Sequence, residues 1–190
     1  MRHFFKINNV LGDVKRNKEI GAINGVWGPF FRISFDLIIH SLDQYGFSNI
    51  LSFRHMNNWY PHLGLHSTGY LRFLHTVDFL QKNVFDFVIE KNQWYNIVIE
   101  QKLLKRKVKE RKAYYTVTID GNLIHNISLP SPYLINEIMN PRLKNLKVFA
   151  GDNYFPGEAI ASYKNLFWEN LPDILFDVFT PTAVSLEIKC

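Results

Sequence analysis

The chain of 190 residues is 47% hydrophobic and 15% aromatic, which excludes wholesale disorder, and no apolar run approaches the roughly 20 residues of a membrane span. Its single cysteine, Cys190, excludes an internal disulfide framework and a cysteine-based zinc site. The formal net charge is +5, but the segment Lys102–Lys112 holds seven basic residues and one acid, so the rest of the chain is close to neutral.

Alternation of apolar and polar residues predicts strands along most of the chain. In chain order they cover residues 3–10, 31–39, 49–53, 69–77, 84–90, 95–99, 114–119, 123–127, 146–150, 159–168 and 183–188. Asp120-Gly121 predicts a tight turn, and the best helix candidate, 131–139, is short. We therefore predict an all-β, antiparallel two-sheet jelly-roll sandwich. We expect one domain over 1–190, with residues 1–24 as an N-terminal extension strand.

Four segments, in this order, resemble a known family. They are WYNIVIEQ (94–101), YYTVTIDG (114–121), LKVFAGDNYFP (146–156) and ASYKNL (161–166). Their order is similar to that of the concanavalin A-like, laminin-G-like jelly rolls, over about residues 27–168. Gly151 stands where serine is typical, and Tyr154-Phe155 where Trp-Tyr is typical. The resemblance implies a sandwich of the lectin/glucanase type, used in extracellular recognition of glycans or matrix proteins.

The basic segment is predicted to be a long hairpin that holds an anionic ligand such as a sulfated glycosaminoglycan. Seven positive charges over eleven residues repel one another unless counter-ions or a polyanion gather on them. The alternative is a solvated hairpin whose charge protects a strand edge. The candidate anion-binding residues are Lys105, Arg106, Lys107, Lys109, Arg111 and Lys112.

Residues 54–68 are predicted to form a loop that binds sugar. The segment is rich in aromatic, imidazole and amide side chains, which suit the apolar face and the hydroxyls of a pyranose. The candidate glycan contacts are Trp59, Tyr60 and His62, together with Tyr154. The alternative is that the aromatic rings seal one end of the sandwich. His62 and His66 are four apart, but Pro61 and Gly64 argue against a helical metal site, so no metal site is expected.

No cofactor is expected. The turn Asp152-Asn153 could contribute to a structural calcium site, but it offers too few oxygen ligands to predict one. The sequence has no cluster of three acids on one strand, no nucleophile elbow and no phosphate-binding loop. Asp86 and Glu90 share a strand without a third acid. We therefore expect that the protein is not an enzyme.

The function predicted from sequence is a non-catalytic recognition module that binds glycan or an extracellular matrix ligand through rim loops. The alternatives are a protein-interaction or adhesion domain that binds no sugar, and a divergent glycoside hydrolase that depends on Asp86 or Glu90. The expected partners are a glycan or an extracellular protein rather than nucleic acid. An extracellular or secreted location is expected from the resemblance, and the first residues show no signal-peptide pattern.

Overall fold

The computed structural model describes residues 4–6, 12–15, 17–26, 30–44, 46–55, 58–76, 82–104, 112–129, 144–151, 157, 159–171 and 186–187. All regular elements in these ranges are strands. They are β1 (Phe4–Lys6), β2 (Gly12–Asp13), β3 (Glu19–Val26), β4 (Phe31–Ser41), β5 (Phe47–His55), β6 (Asn58–His66), β7 (Tyr70–Thr76), β8 (Lys82–Val88), β9 (Trp94–Leu104), β10 (Lys112–Ile119), β11 (Asn122–Leu129), β12 (Lys144–Phe149), β13 (Ile160–Asn170) and β14 (Leu186–Glu187).

The strands form two antiparallel sheets of seven strands each. Sheet A has the order β1-β13-β4-β9-β10-β11, with β2 also paired to β13. Sheet B has the order β14-β3-β12-β5-β6-β7-β8. In each sheet at least half of the neighbouring strand pairs are distant in sequence, so each sheet is assembled from both halves of the chain. The predicted all-β, two-sheet jelly-roll sandwich is confirmed. No helix of the length and apolarity that a membrane crossing requires occurs in the described ranges.

The core lies between the sheets and is supplied by alternate residues of each strand. On β4, the central strand of sheet A, every second side chain from Phe31 to Ile39 is buried in it. Sheet B contributes Phe53, Leu63 and Phe73 from the facing side. Each such side chain contributes about 1.5–3 kcal/mol by leaving water. The same alternation turns the intervening residues of β4 to the outer face of sheet A.

The prediction of a loop over residues 54–68 is wrong. Most of this segment belongs to the strands β5 and β6, which pair as a hairpin. The segment was predicted as a loop because it lies between two predicted strands. In the sheet, the pairing with β5 shifts between Ser52 and Arg54, and the pairing with β7 begins only at His62. Pro61 therefore lies at an irregularity in the strand pairing. No backbone hydrogen bond between strands is needed there, so the missing N–H of proline costs nothing.

The other strand predictions agree with the structure apart from their ends. The predicted turn at Asp120-Gly121 is confirmed, since both residues have positive φ (50° and 79°) and join β10 to β11. The strands β2 and β3 were not predicted separately, because β3 contains two glycines and lacks clean alternation. The helix candidate 131–139 lies outside the described residues.

A short segment after β2 ties the two sheets together at one end of the sandwich. The Val14 amide donates to the Ala161 carbonyl in sheet A, and the Lys15 amide donates to the Ala150 carbonyl beside sheet B. Gly151 adopts φ +84° directly against the Lys15 backbone. A Cβ at residue 151 would overlap the Lys15 carbonyl, so only glycine permits this close approach.

At another edge of the sandwich, an aromatic contact joins β8 of sheet B to β11 of sheet A. The Phe85 and His125 rings stack with centroids 4.6 Å apart, and His125 also meets Tyr115 edge-on at 6.4 Å. Burial lowers the pKa of the His125 imidazole, because a charged ring would lose water of hydration here. The neutral form of His125 therefore helps to close this edge.

Replacing Gly151 by alanine should destabilise the protein far more than the same change at Gly121. Both residues have similar positive φ, so both variants carry a backbone cost of about 1 kcal/mol. Only Gly151 meets backbone at the added methyl, whereas nothing lies within 4 Å of Gly121. We expect G151A to lose a further 1–3 kcal/mol or so, measured as the free energy of unfolding in urea. Equal losses in the two variants would contradict the packing of Lys15 against Gly151.

Stability should fall below neutral pH through His125. A group whose pKa is lowered by folding contributes stability above its unfolded pKa, about 6.5, and that stability is lost as pH falls through the folded value. Urea midpoints of wild type and His125→Phe should therefore diverge between about pH 7 and about pH 5, with the wild type losing more. Parallel losses in both proteins would show that His125 does not titrate against the Phe85 contact.

Candidate functional site

A cavity of about 740 Å³ lies at the end of the sandwich that residues 14 and 15 close. This volume falls within the range of small-molecule and sugar sites. Its wall combines residues of β2, the end of β4 and the start of β13 with residues of sheet B. The lining residues are Asp13, Val14, Lys15, His40, Asn49, Gly151, Gly157, Ala159, Ile160, Ala161 and Ser162.

A chain of hydrogen bonds connects three of these residues. The Ser162 hydroxyl donates to Asp13 Oδ1 at 3.2 Å, and His40 Nε2 lies 3.1 Å from Ser162 Oγ. Because the hydroxyl hydrogen is given to a carboxylate, which only accepts, Ser162 Oγ is left to accept from the Nε2–H of His40. This assigns the proton of neutral His40 to Nε2 and leaves the lone pair on Nδ1.

Strand pairing explains why these three side chains meet. Ser162 on β13 is paired with Asp13 of β2 on one side and with Ile38 of β4 on the other, and His40 follows two residues after Ile38. All four side chains therefore lie on the outer face of sheet A. Ser162 is buried, whereas His40 and Asp13 are exposed, so the middle of this hydrogen-bond chain is shielded and both of its ends reach solvent.

Two further lining residues add a cation and an amide. Lys15 is exposed at the cavity and held in place by its backbone bond to Ala150. Asn49 of β5 is 3% exposed, and its Nδ2 donates to Ser52 Oγ at 3.3 Å. Its Oδ1 accepts no hydrogen bond from the described part of the chain. A buried amide oxygen in this state is ready to accept from a ligand hydroxyl.

The arrangement suits proton abstraction from a bound molecule. A general base needs an available lone pair and a partner that fixes its orientation, and His40 has both. Asp13 and Ser162 together stabilise the imidazolium that forms when Nδ1 takes a proton. Lys15 supplies positive charge for an anionic group nearby. Within the described residues, no group of three His, Cys, Asp or Glu side chains could hold a metal ion.

The structure describes the residues that the sequence suggested for sugar contact only in part, and of these only His62 can be compared with the cavity lining, which does not include it. Trp59 and Tyr60 lie on β6, and Tyr154 lies outside the described residues. His62 is also on β6 and is only 2% exposed, so it does not lie on a loop at the rim. His62 and His66 are four residues apart on one strand, about 13 Å, which is too far for a shared metal ion.

The basic segment is described only at its two ends. Lys102 lies on β9, where its Nζ is 3.1 Å from Glu100 Oε2, and Lys112 begins β10. The pairing of Lys112 with Leu104 agrees with the predicted hairpin. The other five candidates, Lys105, Arg106, Lys107, Lys109 and Arg111, lie outside the described residues, so the anionic-ligand site stays a prediction.

A second polar cluster lies on the outer face of sheet B and has a structural explanation. Arg72 donates two hydrogen bonds of 2.8 Å to Asp86, and its guanidinium lies over the Phe47 and Tyr70 rings. The hydrogen bond from Arg72 holds the pKa of Asp86 below its ordinary value. A carboxyl held ionised in this way is unsuited to the general-acid role of a glycoside hydrolase. The role considered for Asp86 therefore has no support from its surroundings.

Comparison with solved structures relates this architecture to polysaccharide lyases and to a toxin binding domain. A double-cysteine variant of alginate lyase A1-II′ aligns with 78% of this chain at a TM-score of 0.52 and 16% identity, and the chain spans 65% of that protein's length. A variant of alginate lyase Aly36B in complex with an alginate trisaccharide gives 0.51 and 12%, covering 86% of this chain and 82% of that one. The fold is a concanavalin A-like jelly roll. No protein-family model and no curated protein matches the sequence.

The binding domain of botulinum neurotoxin DC, solved with rat synaptotagmin II, is also similar. It aligns at a TM-score of 0.51 and 19% identity, covering 80% of this chain and 36% of that one. Proteins of this architecture thus include one solved with a sugar oligomer and one solved with another protein. The resemblance to the concanavalin A-like jelly rolls is confirmed, whereas the roles of a lectin, a laminin-G-like module and an adhesion domain stay predictions.

The comparisons contradict the predictions of a non-catalytic module and of a protein that is not an enzyme. Several of the similar structures are alginate lyases, and A1-II′ has been solved both with substrate and with product. The absent motifs were those of hydrolysis, acyl transfer and nucleotide binding. An elimination reaction needs only a placed base and a cation, and these leave no local pattern in a sequence.

The cavity residues could not have been found from spacing. Asp13 and Ser162 are 149 positions apart, and His40 and Ser162 are 122 apart. His40 had one weak signal, since it falls on the polar side of the alternation in β4. Asp13 and Lys15 had none, because the short strand β2 carries no recognisable pattern.

The Arg72–Asp86 pair should contribute only modestly to stability, and only above acid pH. The lowered pKa of Asp86 means that its contribution is present above the unfolded pKa, about 3.9, and is lost as pH falls through the folded value. Because the pair is partly exposed, Asp86→Asn should cost at most about 1 kcal/mol at neutral pH. Urea unfolding of the two proteins should then give converging midpoints toward about pH 3. A constant difference across this range would argue against the ion pair.

Proposed function

We propose that the protein is a polysaccharide lyase that cleaves an acidic, uronate-containing chain by β-elimination at the cavity. The observation that carries this proposal is the hydrogen-bond chain from Asp13 through Ser162 to His40 at the cavity wall. The similarity in fold to alginate lyases supports the choice of reaction class. A uronate polymer is the substrate class because the carbon next to its carboxylate can lose a proton.

His40 is the general base in this proposal. Its Nδ1 lone pair takes the proton from the carbon adjacent to the uronate carboxylate. The electron pair of that C–H bond forms the new C=C bond, and the C–O bond to the leaving sugar breaks. The imidazolium then returns the proton to the leaving oxygen, so that charge and atoms balance. Asp13 stabilises the imidazolium through Ser162 and is a positioning residue rather than a catalytic one.

Lys15 and Asn49 bind the sugar that reacts. The Lys15 ammonium pairs with the uronate carboxylate, and this makes the neighbouring proton easier to remove because negative charge develops there in the transition state. Asn49 Oδ1 accepts from a sugar hydroxyl and is rigid because its strand is buried. The cavity volume of about 740 Å³ has room for the reacting sugar and a neighbour.

The partner in this proposal is a polyanion, and the basic segment Lys102–Lys112 raises its local concentration. We propose an extracellular location, where such polymers occur as matrix and wall material. The sequon at Asn126-Ile127-Ser128 is compatible with it, since Asn126 and Ser128 are exposed on β11.

The test is release of unsaturated uronate products from a panel of polymers: alginate, polygalacturonate, hyaluronan, chondroitin sulfate and heparan sulfate. The wild type should produce the ultraviolet absorbance of a conjugated C=C bond from at least one of them. His40→Ala should lower kcat about 10²–10⁴-fold, the range for loss of a general base. Ser162→Ala should lower kcat less, because His40 keeps its lone pair but loses its orientation.

The matched control is His66→Ala, which removes a partly exposed histidine that does not line the cavity. It should retain wild-type rates. New reducing ends without ultraviolet absorbance would indicate hydrolysis and contradict elimination. Failure to degrade any polymer of the panel would overturn the proposed function.

A further inference from the structure

The outer face of sheet A carries a second polar and aromatic cluster outside the cavity. Asp36 of β4 is paired with Asn96 of β9 on one side and Lys164 of β13 on the other. Trp94 lies two residues before Asn96, and 37% of its side chain is exposed. Its indole is covered by the Lys164 ammonium, 4.1 Å from the ring centroid.

The Asp36 carboxylate is held by two amides. Asn96 Nδ2 donates to Oδ1 at 2.7 Å, and Asn165 Nδ2 donates to Oδ2 at 2.6 Å. Both amide nitrogens point at the carboxylate, so both amide oxygens are left for other partners. Neither oxygen accepts a hydrogen bond within the described ranges. Two fixed acceptors next to an aromatic ring and an ammonium can recognise the hydroxyls, the apolar face and the carboxylate of one sugar.

The backbone is arranged to place Asn165 in this cluster. The pairing of β13 with β4 shifts between Lys164 and Phe167, and Asn165 adopts φ +54° within this bulge. A left-handed conformation at a residue other than glycine is uncommon and is maintained only when surrounding contacts stabilise it. Here the bulge turns the amide of Asn165 to the outer face, where it meets Asp36. Bulges that re-aim a side chain in this way are frequent at binding sites.

Strand pairing also relates this cluster to the cavity. One row of paired residues crosses four adjacent strands and consists of Asp13, Ser162, Ile38 and Trp94. Trp94 therefore lies about 10 Å from Ser162 on the same face of the sheet. Asp36 lies on the same side of β4 as His40, four residues or about 13 Å away. A polymer bound with one sugar at His40 would therefore pass over Ile38 and reach this cluster.

We infer that Trp94, Asn96, Lys164 and Asn165 form a distal subsite that binds a second uronate residue of the same polymer. This inference rests on the proposed function for its choice of an acidic sugar. In the subsite, Lys164 pairs with the carboxylate, the oxygens of Asn96 and Asn165 accept from hydroxyls, and Trp94 contacts the ring. Asp36 holds the two amides in place. The subsite makes long substrates bind better than short ones without changing the chemistry at His40.

Two variants test the subsite, and a third is the control. Trp94→Ala removes the ring. Asn165→Gly removes one acceptor but tolerates the positive φ of the bulge, so the strand is kept. Leu123→Ala removes an exposed apolar side chain of β11, in the same sheet but outside the row of Trp94. Thermal unfolding of all three should resemble that of the wild type, which separates a binding defect from a folding defect.

Binding is measured by retardation in native gels that contain each polymer of the same panel. At least one polymer should retard the wild type and L123A, and both subsite variants should bind it about fivefold to tenfold more weakly, as expected for one or two lost contacts. In lyase assays the two variants should raise KM on the polymer, leave kcat within about twofold, and leave the shortest cleavable oligomer unaffected.

Three results would each overturn the subsite. W94A and N165G could be retarded as strongly as the wild type, or L123A could bind as weakly as they do. The third is that no polymer retards the wild type. The two proposals fail separately. Retardation that depends on Trp94 without any unsaturated product would support the subsite and overturn the lyase. If W94A formed unsaturated product from every substrate as the wild type does, the lyase would be supported and the subsite overturned.

Discussion

The two-residue alternation of side chains along β4 is the constraint on which the rest of the structure depends. One set of residues, from Phe31 to Ile39, packs into the core and fixes the strand between β13 and β9. The other set, which includes Asp36 and His40, is thereby held on the outer face of sheet A. A shift of one residue in pairing would exchange the two sets, so the core that stabilises the fold also fixes the positions of the polar groups.

The cavity depends on a second constraint, which is the closure of one end of the sandwich. Residues 14 and 15 bond to both sheets, and Gly151 allows the backbone to approach Lys15 closely. These contacts bring Lys15 to the wall that already holds Ser162 and His40. The groups proposed for catalysis therefore depend on backbone hydrogen bonds rather than on mobile loops, which favours a fixed geometry around the reacting sugar.

The sequence predicted most of the fold because half-buried strands leave a direct pattern. The five alternating apolar residues of β4 and the Asp120-Gly121 turn are examples in which local chemistry and final structure agree. The strand β6 was missed because its segment was assigned to a loop between two predicted strands, whereas the sheet accommodates Pro61 at an irregularity in pairing. The cavity was missed because its members come from three distant parts of the chain. Trp94 was noticed only as the start of a strand, since its exposure depends on which neighbours the sheet gives it.

The bond between Asp13 and Ser162 joins the first and the last long stretches of the chain, 149 positions apart. β2 can dock only after β13 has been synthesised, because β13 is the strand with which it pairs. Contacts of such large sequence separation form slowly, because a long loop must be closed before any stabilisation is gained. We therefore expect the site to be among the last parts of the molecule to be assembled during folding. A chain that lacks β13 would lack one wall of the cavity, so the proposed lyase activity would report completion of the whole sandwich.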